Sequence, residues 1–257
     1  MNKAEQFETQ GRGEAGGQSR ATVALLAMRG MILNGSLGPG ERVSELAIVE
    51  QTGISRTPVR AALQRLEEEG FVEAIPSGGF AVKSFSETDV FDAIEIRGTL
   101  EGLAARLAAE RGSSTVRLSA LHECVAELDR LVPASLDSED GFMRYMSANA
   151  RLHALIVELA ESPSLKRQIE RAVSLPFASP NAFIKAQTLM PESRGVLIVA
   201  QDQHRCVAEA IADRQGARAQ AIMQEHARLA GRHLRLALRD DKVLEQVPGG
   251  SLIRTGR

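Results

Sequence analysis

Apolar residues take up helical spacing near Thr22, where Val23, Leu25, Leu26, Met28, Ile32 and Leu33 predict a first helix with a broad apolar face. Asn34-Gly35 ends it, and Gly38-Pro39-Gly40 turns the chain sharply. A short second helix follows from Ser44 as N-cap, then a turn at Thr52-Gly53-Ile54. Ser55 caps a third helix that carries Pro58 in its first turn and buries Val59, Leu63 and Leu66 before Gly70 stops it. The pattern then shortens to two strand-like runs, Phe71–Ile75 and Phe80–Lys83, joined by Pro76-Ser77-Gly78-Gly79 as a hairpin.

Beyond Lys83 nearly everything has helical period. Ser86-x-x-Asp89 reads as a capping box. Six helices are predicted at 87–111, 115–132, 139–161, 163–185, 192–214 and 216–239. The predicted breaks include the stretch from Leu175 to Pro180, and Pro191. The polar, Gly-rich residues 1–17 predict a disordered tail with no signal peptide, and 241–257, with Pro248-Gly-Gly, a loose one. The fold class expected is mainly α: a winged helix-turn-helix (three helices plus a β-hairpin) over 18–85, then an all-α six-helix bundle over 86–240.

Composition narrows the function. With Lys plus Arg at 31 and Asp plus Glu at 33, the net charge of −2 excludes a histone-like polycation. Eight Phe, one Tyr and no Trp argue against a base-stacking RNA platform. Cys124 and Cys206, far apart, read as reduced cysteines, and no apolar run reaches the roughly 20 residues of a membrane span. A cytoplasmic protein is expected.

Two constellations carry chemistry. The third helix opens Ser55-Arg56-Thr57-Pro58-Val59-Arg60. In a helix-turn-helix such a start meets base edges in the major groove. Its hydroxyls and free amides suit phosphate, and Arg56 and Arg60, one turn apart, can each grip a guanine. Residues 1–85 hold nine basic residues against ten Glu, so positive charge must be concentrated at that helix start, with help from Arg29 or Arg42. The second constellation is histidine. Asn149 and His153 share a helix face, and His204 and His226 stand on two other helices. Such convergence builds metal sites in bundles, and imidazoles with a hard oxygen suit Zn(II), Ni(II) or Mn(II). His122 and His233 read as ordinary histidines.

The strings G-x-L-x-P-G-E-R-V-x-E and G-I-S-R-T-P-V-R-A-A-L-x-R-L-E-x-E-G-F-V resemble the DNA-binding domain of the GntR family of bacterial transcription regulators. The resemblance implies that Ser55, Arg56, Thr57 and Arg60 touch double-stranded operator DNA and that Gly79 lets the wing approach the minor groove. The stretches 95–109, 149–153, 201–211 and 221–226 look like the FCD effector domain of the FadR subfamily, in its VanR-like branch. There the matching positions hold a divalent metal with one Asp and three His; His153, His204 and His226 fit, and Asn149 stands where Asp is usual. The family places Arg97 near the effector cavity, where it can clamp a carboxylate. Its alternative is a salt bridge with Glu101, four residues on.

The reading is a homodimeric, ligand-responsive transcription regulator, a repressor released by a small organic acid. The rivals are a helical metalloenzyme and a metal-sensing regulator. No Ser-His-Asp or H-E-x-x-H pattern supports the enzyme, and it has no use for the third helix.

Overall fold

The computed structural model describes residues 19–134, 138–182, 184 and 193–254. The predicted tail at 1–17 and the predicted break at Pro191 lie outside them. Helix α1 (Arg20–Leu33) starts at Ser19, whose side chain accepts a hydrogen bond from the Thr22 N–H. Its buried stripe is narrower than predicted: Ala24, Met28 and Ile32, four apart, face inward, while Val23 and Leu26 are exposed. Strand β1 (Arg42–Val43) precedes α2 (Glu45–Thr52), which is capped by Ser44 and closed by Gly53 in the left-handed conformation. Helix α3 (Arg56–Glu68) buries Val59, Ala62, Leu63 and Leu66 and leaves its polar face to solvent. The hairpin β2 (Val72–Ala74) and β3 (Phe80–Val82) adds β1 at its edge, in the order β1-β3-β2. This is the winged helix-turn-helix expected.

Strand β4 (Phe85–Ser86) leads into α4 (Glu87–Arg111) through the predicted box. Ser86 Oγ accepts from the Asp89 N–H at 3.1 Å, and Asp89 Oδ2 accepts from the Ser86 N–H at 2.7 Å. The bundle continues with α5 (Thr115–Ala134), α6 (Glu139–Leu159), α7 (Pro163–Ala172), α8 (Ser193–Ala212) and α9 (Gly216–Ala237). Six bundle helices of ten or more residues are therefore present among the described residues. Helices α4 and α9 pack backbone to backbone. A Cβ at Gly98 would lie 2.7 Å from the Ala227 Cβ, and one at Gly102 3.1 Å from the Gln220 carbonyl, so this approach requires glycine at both.

Two predictions are corrected. The fourth bundle helix was expected over 163–185 but ends at Ala172; a 3-10 turn follows at Pro176–Ala178. Pro176 has no N–H to continue the ladder, and Phe177 and Ala178 are buried in the core at the domain junction instead. The C-terminal stretch is not loose. It forms α10 (Asp241–Leu244), a 3-10 turn at Gly250–Leu252 and β5 (Ile253–Arg254), which pairs in parallel with β4. Val243, Leu244, Val247, Leu252 and Ile253 join Met28, Ile32, Val90, Ile94 and Leu234 in one apolar cluster. Apolar side chains spaced along a short polar segment are enough to hold it against a core. A second cluster fills the rest of the bundle around Leu121, Leu128, Tyr145, Leu152 and Met223.

Candidate functional site

The start of α3 faces solvent. Ser55 makes no side-chain capping bond, and Ser55, Arg56, Thr57 and Arg60 are all exposed. The first N–H groups of the helix and the Ser55 hydroxyl thus stay available to an anion. Arg60 is held by Glu45 of α2 through two bonds, Nε to Oε1 and Nη2 to Oε2, each 3.1 Å. The glutamate bonds and charge raise the Arg60 pKa from its ordinary value. The wing tip turns through Gly78 and Gly79 at φ +85° and +94°. Sequence reasoning left open which basic residue assists. Arg42 lies over the tip and donates from Nη2 to the Gly78 carbonyl at 2.8 Å. Arg29 turns the other way, pairing with Glu69 and stacking over Phe71 beyond the far end of α3.

His153 from α6, His204 from α8 and His226 from α9 meet inside the bundle, with ligand nitrogens all within 4.8 Å of one another. Outer partners orient two of the three rings, His204 and His153. Gln201 donates its amide N–H groups to the Val125 carbonyl at 3.1 Å and to Asp129 Oδ1 at 2.7 Å, so its oxygen is left to accept from His204 Nδ1 at 3.0 Å. His204 Nε2 therefore carries a lone pair, and it faces His226 Nε2 at 3.1 Å. His153 Nδ1 donates to Glu101 Oε1 at 2.9 Å, and its Nε2 is buried with no hydrogen-bond partner among the described residues. A cation bound at about 2.0–2.1 Å by imidazoles holds their nitrogens roughly 3.0–3.4 Å apart. His204 and His226 already stand at that spacing, and all three ligand nitrogens lie within 4.8 Å of one another. The bound state requires the His226 proton on Nδ1, which is buried and has no hydrogen-bond partner among the described residues.

Asn149 is one turn before His153 and lines the same cavity as Arg97, His226 and His233. Its Nδ2 donates to Asn181 Oδ1 at 2.8 Å, and Asn181 Nδ2 donates to the Met146 carbonyl at 2.9 Å. The second bond fixes the Asn181 amide, so the Asn149 carbonyl oxygen is the atom left toward the cavity. Arg97 makes the salt bridge read from the sequence, its Nε facing Glu101 Oε2 at 3.6 Å, too long for a hydrogen bond. It also lines the cavity, where Nε and Nη1 have no hydrogen-bond partner among the described residues. The cavity measures about 30 Å³, room for about two waters.

Burial governs the charges. It pushes His204 and His226 well below the ordinary imidazole range, and neighbouring histidines add to this. Burial, helped by Arg232, lowers His233 to about 4. Burial also lowers Arg97, against the pull of Glu101. For Glu101 burial acts upward, but His153 and Arg97 together outweigh it and hold the carboxyl below its usual range. Three imidazole nitrogens, one amide oxygen and an adjacent ion pair can hold a divalent cation and still attract an anion. Sequence reading missed Glu101 as a partner of His153, the Gln201–Asp129 relay, Asn181 and His233. The only signals were local, at Arg97 four before Glu101 and Gln201 three before His204.

A winged helix presenting an open basic start, joined to a bundle with a buried polar cavity, defines a DNA-binding transcription regulator with an effector domain. The chain belongs to the GntR family of bacterial regulatory proteins with an FCD domain: residues 21–82 match the former and 92–229, more than half of the chain, the latter. It is 28% identical over 148 residues to the uncharacterized HTH-type transcriptional regulator YdhC of Bacillus subtilis, covering 58% of this chain and 64% of that protein. It is 30% identical over 136 residues to the Nta operon transcriptional regulator of Aminobacter aminovorans, covering 53% and 61%. The chain thus spans just under two thirds of the length of these two relatives. It is 26% identical over 195 residues to the transcriptional repressor GlaR of Escherichia coli, covering 76% and 86%. Among solved structures, E. coli McbR/YncC shares the fold at TM-score 0.57 and 21% identity, over 85% of this chain and all of that one. These families and relatives are transcription regulators, not enzymes, and the metalloenzyme reading falls. No helix of the described residues is long and apolar enough to cross a membrane.

Proposed function

We propose that the chain acts as a cytoplasmic homodimer that represses transcription from an inverted-repeat operator and releases it when a small organic acid binds beside the histidine cluster. The observation that carries the DNA half is the open start of α3, where Ser55, Arg56, Thr57 and Arg60 are exposed and Arg42 supplies a cation at the wing tip beside Gly79. Arg60 exchanges Glu45 for a base or phosphate on binding. Two-fold protein symmetry is mirrored in the half-sites. The name of GlaR supports repression.

In the effector half, His153, His204 and His226 hold a divalent cation, Zn(II), Ni(II) or Mn(II), and the Asn149 oxygen completes the set without adding charge. The cation supplies a fixed positive charge to an anionic ligand. Arg97, whose Nη1 has no hydrogen-bond partner among the described residues, takes the far carboxylate oxygen. The carboxylate replaces the two waters' worth of space, and a larger acid displaces the wall formed by Pro180 and Ile184. That small volume also favours a second reading, in which the cation alone is the signal.

Sequencing DNA fragments retained by the purified protein tests the first half; absence of any enriched sequence removes it. Releasing those fragments with candidate acids, with and without Zn(II), tests the second. Release by Zn(II) alone establishes the metal-sensing reading instead.

A further inference from the structure

The nine residues between α7 and the cavity wall touch both halves of the molecule. At one end they hold the winged helix. Ser174 Oγ donates to the Glu69 carbonyl at the end of α3, at 3.1 Å. Leu175 covers Gly70, its Cδ2 3.5 Å from where a Cβ would stand. Phe177 is buried edge-on against Phe85, ring centroids 4.7 Å apart, and Ala178 and Ala182 share that cluster with α1 and α3. At the other end the same stretch walls the cavity. Pro180 lines it beside Arg97 and His226, and Asn181 ties it to α6 through the Asn149 amide and the Met146 carbonyl. Only two residues separate Phe177 from Pro180.

We propose that residues 174–182 are a strut that transmits occupancy of the histidine-lined cavity to the winged helix. The inference rests on the reading of that cavity as the signal site. Any occupant that draws the Asn149 oxygen inward, or that presses on Pro180, displaces Asn181. The strut is too short to absorb that displacement, and Phe177 stands in a close-packed core that answers by shifting rather than by compressing. A ligand that favours one strut position thereby favours one seating of Phe85, the residue joining wing to bundle. Helix α4 also runs from junction to cavity, but as one continuous helix it moves only as a body.

The test uses full-length protein with Zn(II) alone as the probe. Calorimetry gives its affinity, and hydrogen exchange of the α1–α3 amides reads the winged helix. In wild type, saturating Zn(II) is expected to change exchange in α1 and α3 by about tenfold, within the usual range of coupling between sites. Phe177→Leu, away from the cation and conservative enough to fold, is expected to bind Zn(II) within about threefold of wild type and to lose the winged-helix response. Asn181→Ala is expected to lose it as well. An undiminished response in both variants, or none in wild type that binds Zn(II), overturns the strut. If wild type binds no Zn(II), the metal reading falls by itself. The strut is then decided by a cycle of Asn149→Ala and Phe177→Leu read on α1 exchange. Effects that multiply to within about twofold, as independent sites do, overturn it; a larger departure supports it.

Discussion

Leu252→Ala probes how the C-terminal segment holds the two domains together. The Leu252 side chain has 0% exposure, in the cluster that α1 shares with the first turns of α4. The substitution removes three buried carbons. At about 0.8 kcal/mol per buried methylene the transfer loss is roughly 2.4 kcal/mol. Because β5 is pinned to β4 on one side, the hole cannot close fully, and a cavity contribution takes the total to about 3–4 kcal/mol. Urea unfolding followed by circular dichroism reads this as a lower midpoint at unchanged slope. Arg254→Ala, an exposed neighbour on the same strand, is the control and should move the midpoint by less than about 0.5 kcal/mol. A Leu252→Ala loss as small as the control's would mean that the segment is not seated in the core, and the correction of the predicted loose tail would fail with it.

Two further outcomes follow from the site. Arg56→Ala and Arg60→Ala should each cost about 1–3 kcal/mol in binding an enriched DNA fragment at fixed salt, measured by fluorescence anisotropy; an equal loss on unrelated DNA would demote them to phosphate contacts. Metal-free protein should lose stability as pH falls below about 6.5, because His204, His226 and His233 all have folded pKa values below the unfolded value of 6.5 and the unfolded chain takes up more protons. For His233, lowered to about 4, the loss between pH 7.5 and 5.5 is about 1 kcal/mol; an unchanged urea midpoint between those two values would contradict neutral burial.

What the sequence revealed depended on whether the signal was local. The α3 start, its buried Val59, Leu63 and Leu66, and the Ser86–Asp89 box are all written within one or two turns, and each stands where it was read. Spacing could place His153, His204 and His226 on helices and the resemblance could bring them together, but neither could orient them. Glu101 is 52 residues from His153, and Gln201 is 72 from Asp129, so these bonds leave no periodic trace. The broad apolar face read for α1 mixed two things. Met28 and Ile32 serve the core, while Val23 and Leu26 do not. The break read at Leu175 to Pro180 stands, but the helix read over 163–185 ran past it, because the apolar Leu175 and Phe177 serve the junction rather than the bundle.

Asn149→Asp puts a carboxylate at this position, and the structure says why that is not a free change. Asn149 Nδ2 donates to an Asn181 oxygen whose role as acceptor is fixed by the bond from Asn181 Nδ2 to Met146. An Asp at this position sets a carboxylate oxygen against that carbonyl at about hydrogen-bond distance, with no proton between them. Metal-free Asn149→Asp protein should therefore lose about 1–3 kcal/mol of stability, the cost of a buried acceptor without a donor. With Zn(II) the sign reverses, since a charged oxygen replaces a neutral one in the ligand set and binding tightens by roughly tenfold or more. Urea midpoints with and without Zn(II) measure both effects on the same protein. The expected signature is a variant less stable than wild type when metal-free and stabilised more by the cation. Equal metal-free stability would show that the Asn149–Asn181 bond is dispensable. An unchanged Zn(II) affinity would show that residue 149 does not reach the cation, leaving three histidines to hold it alone.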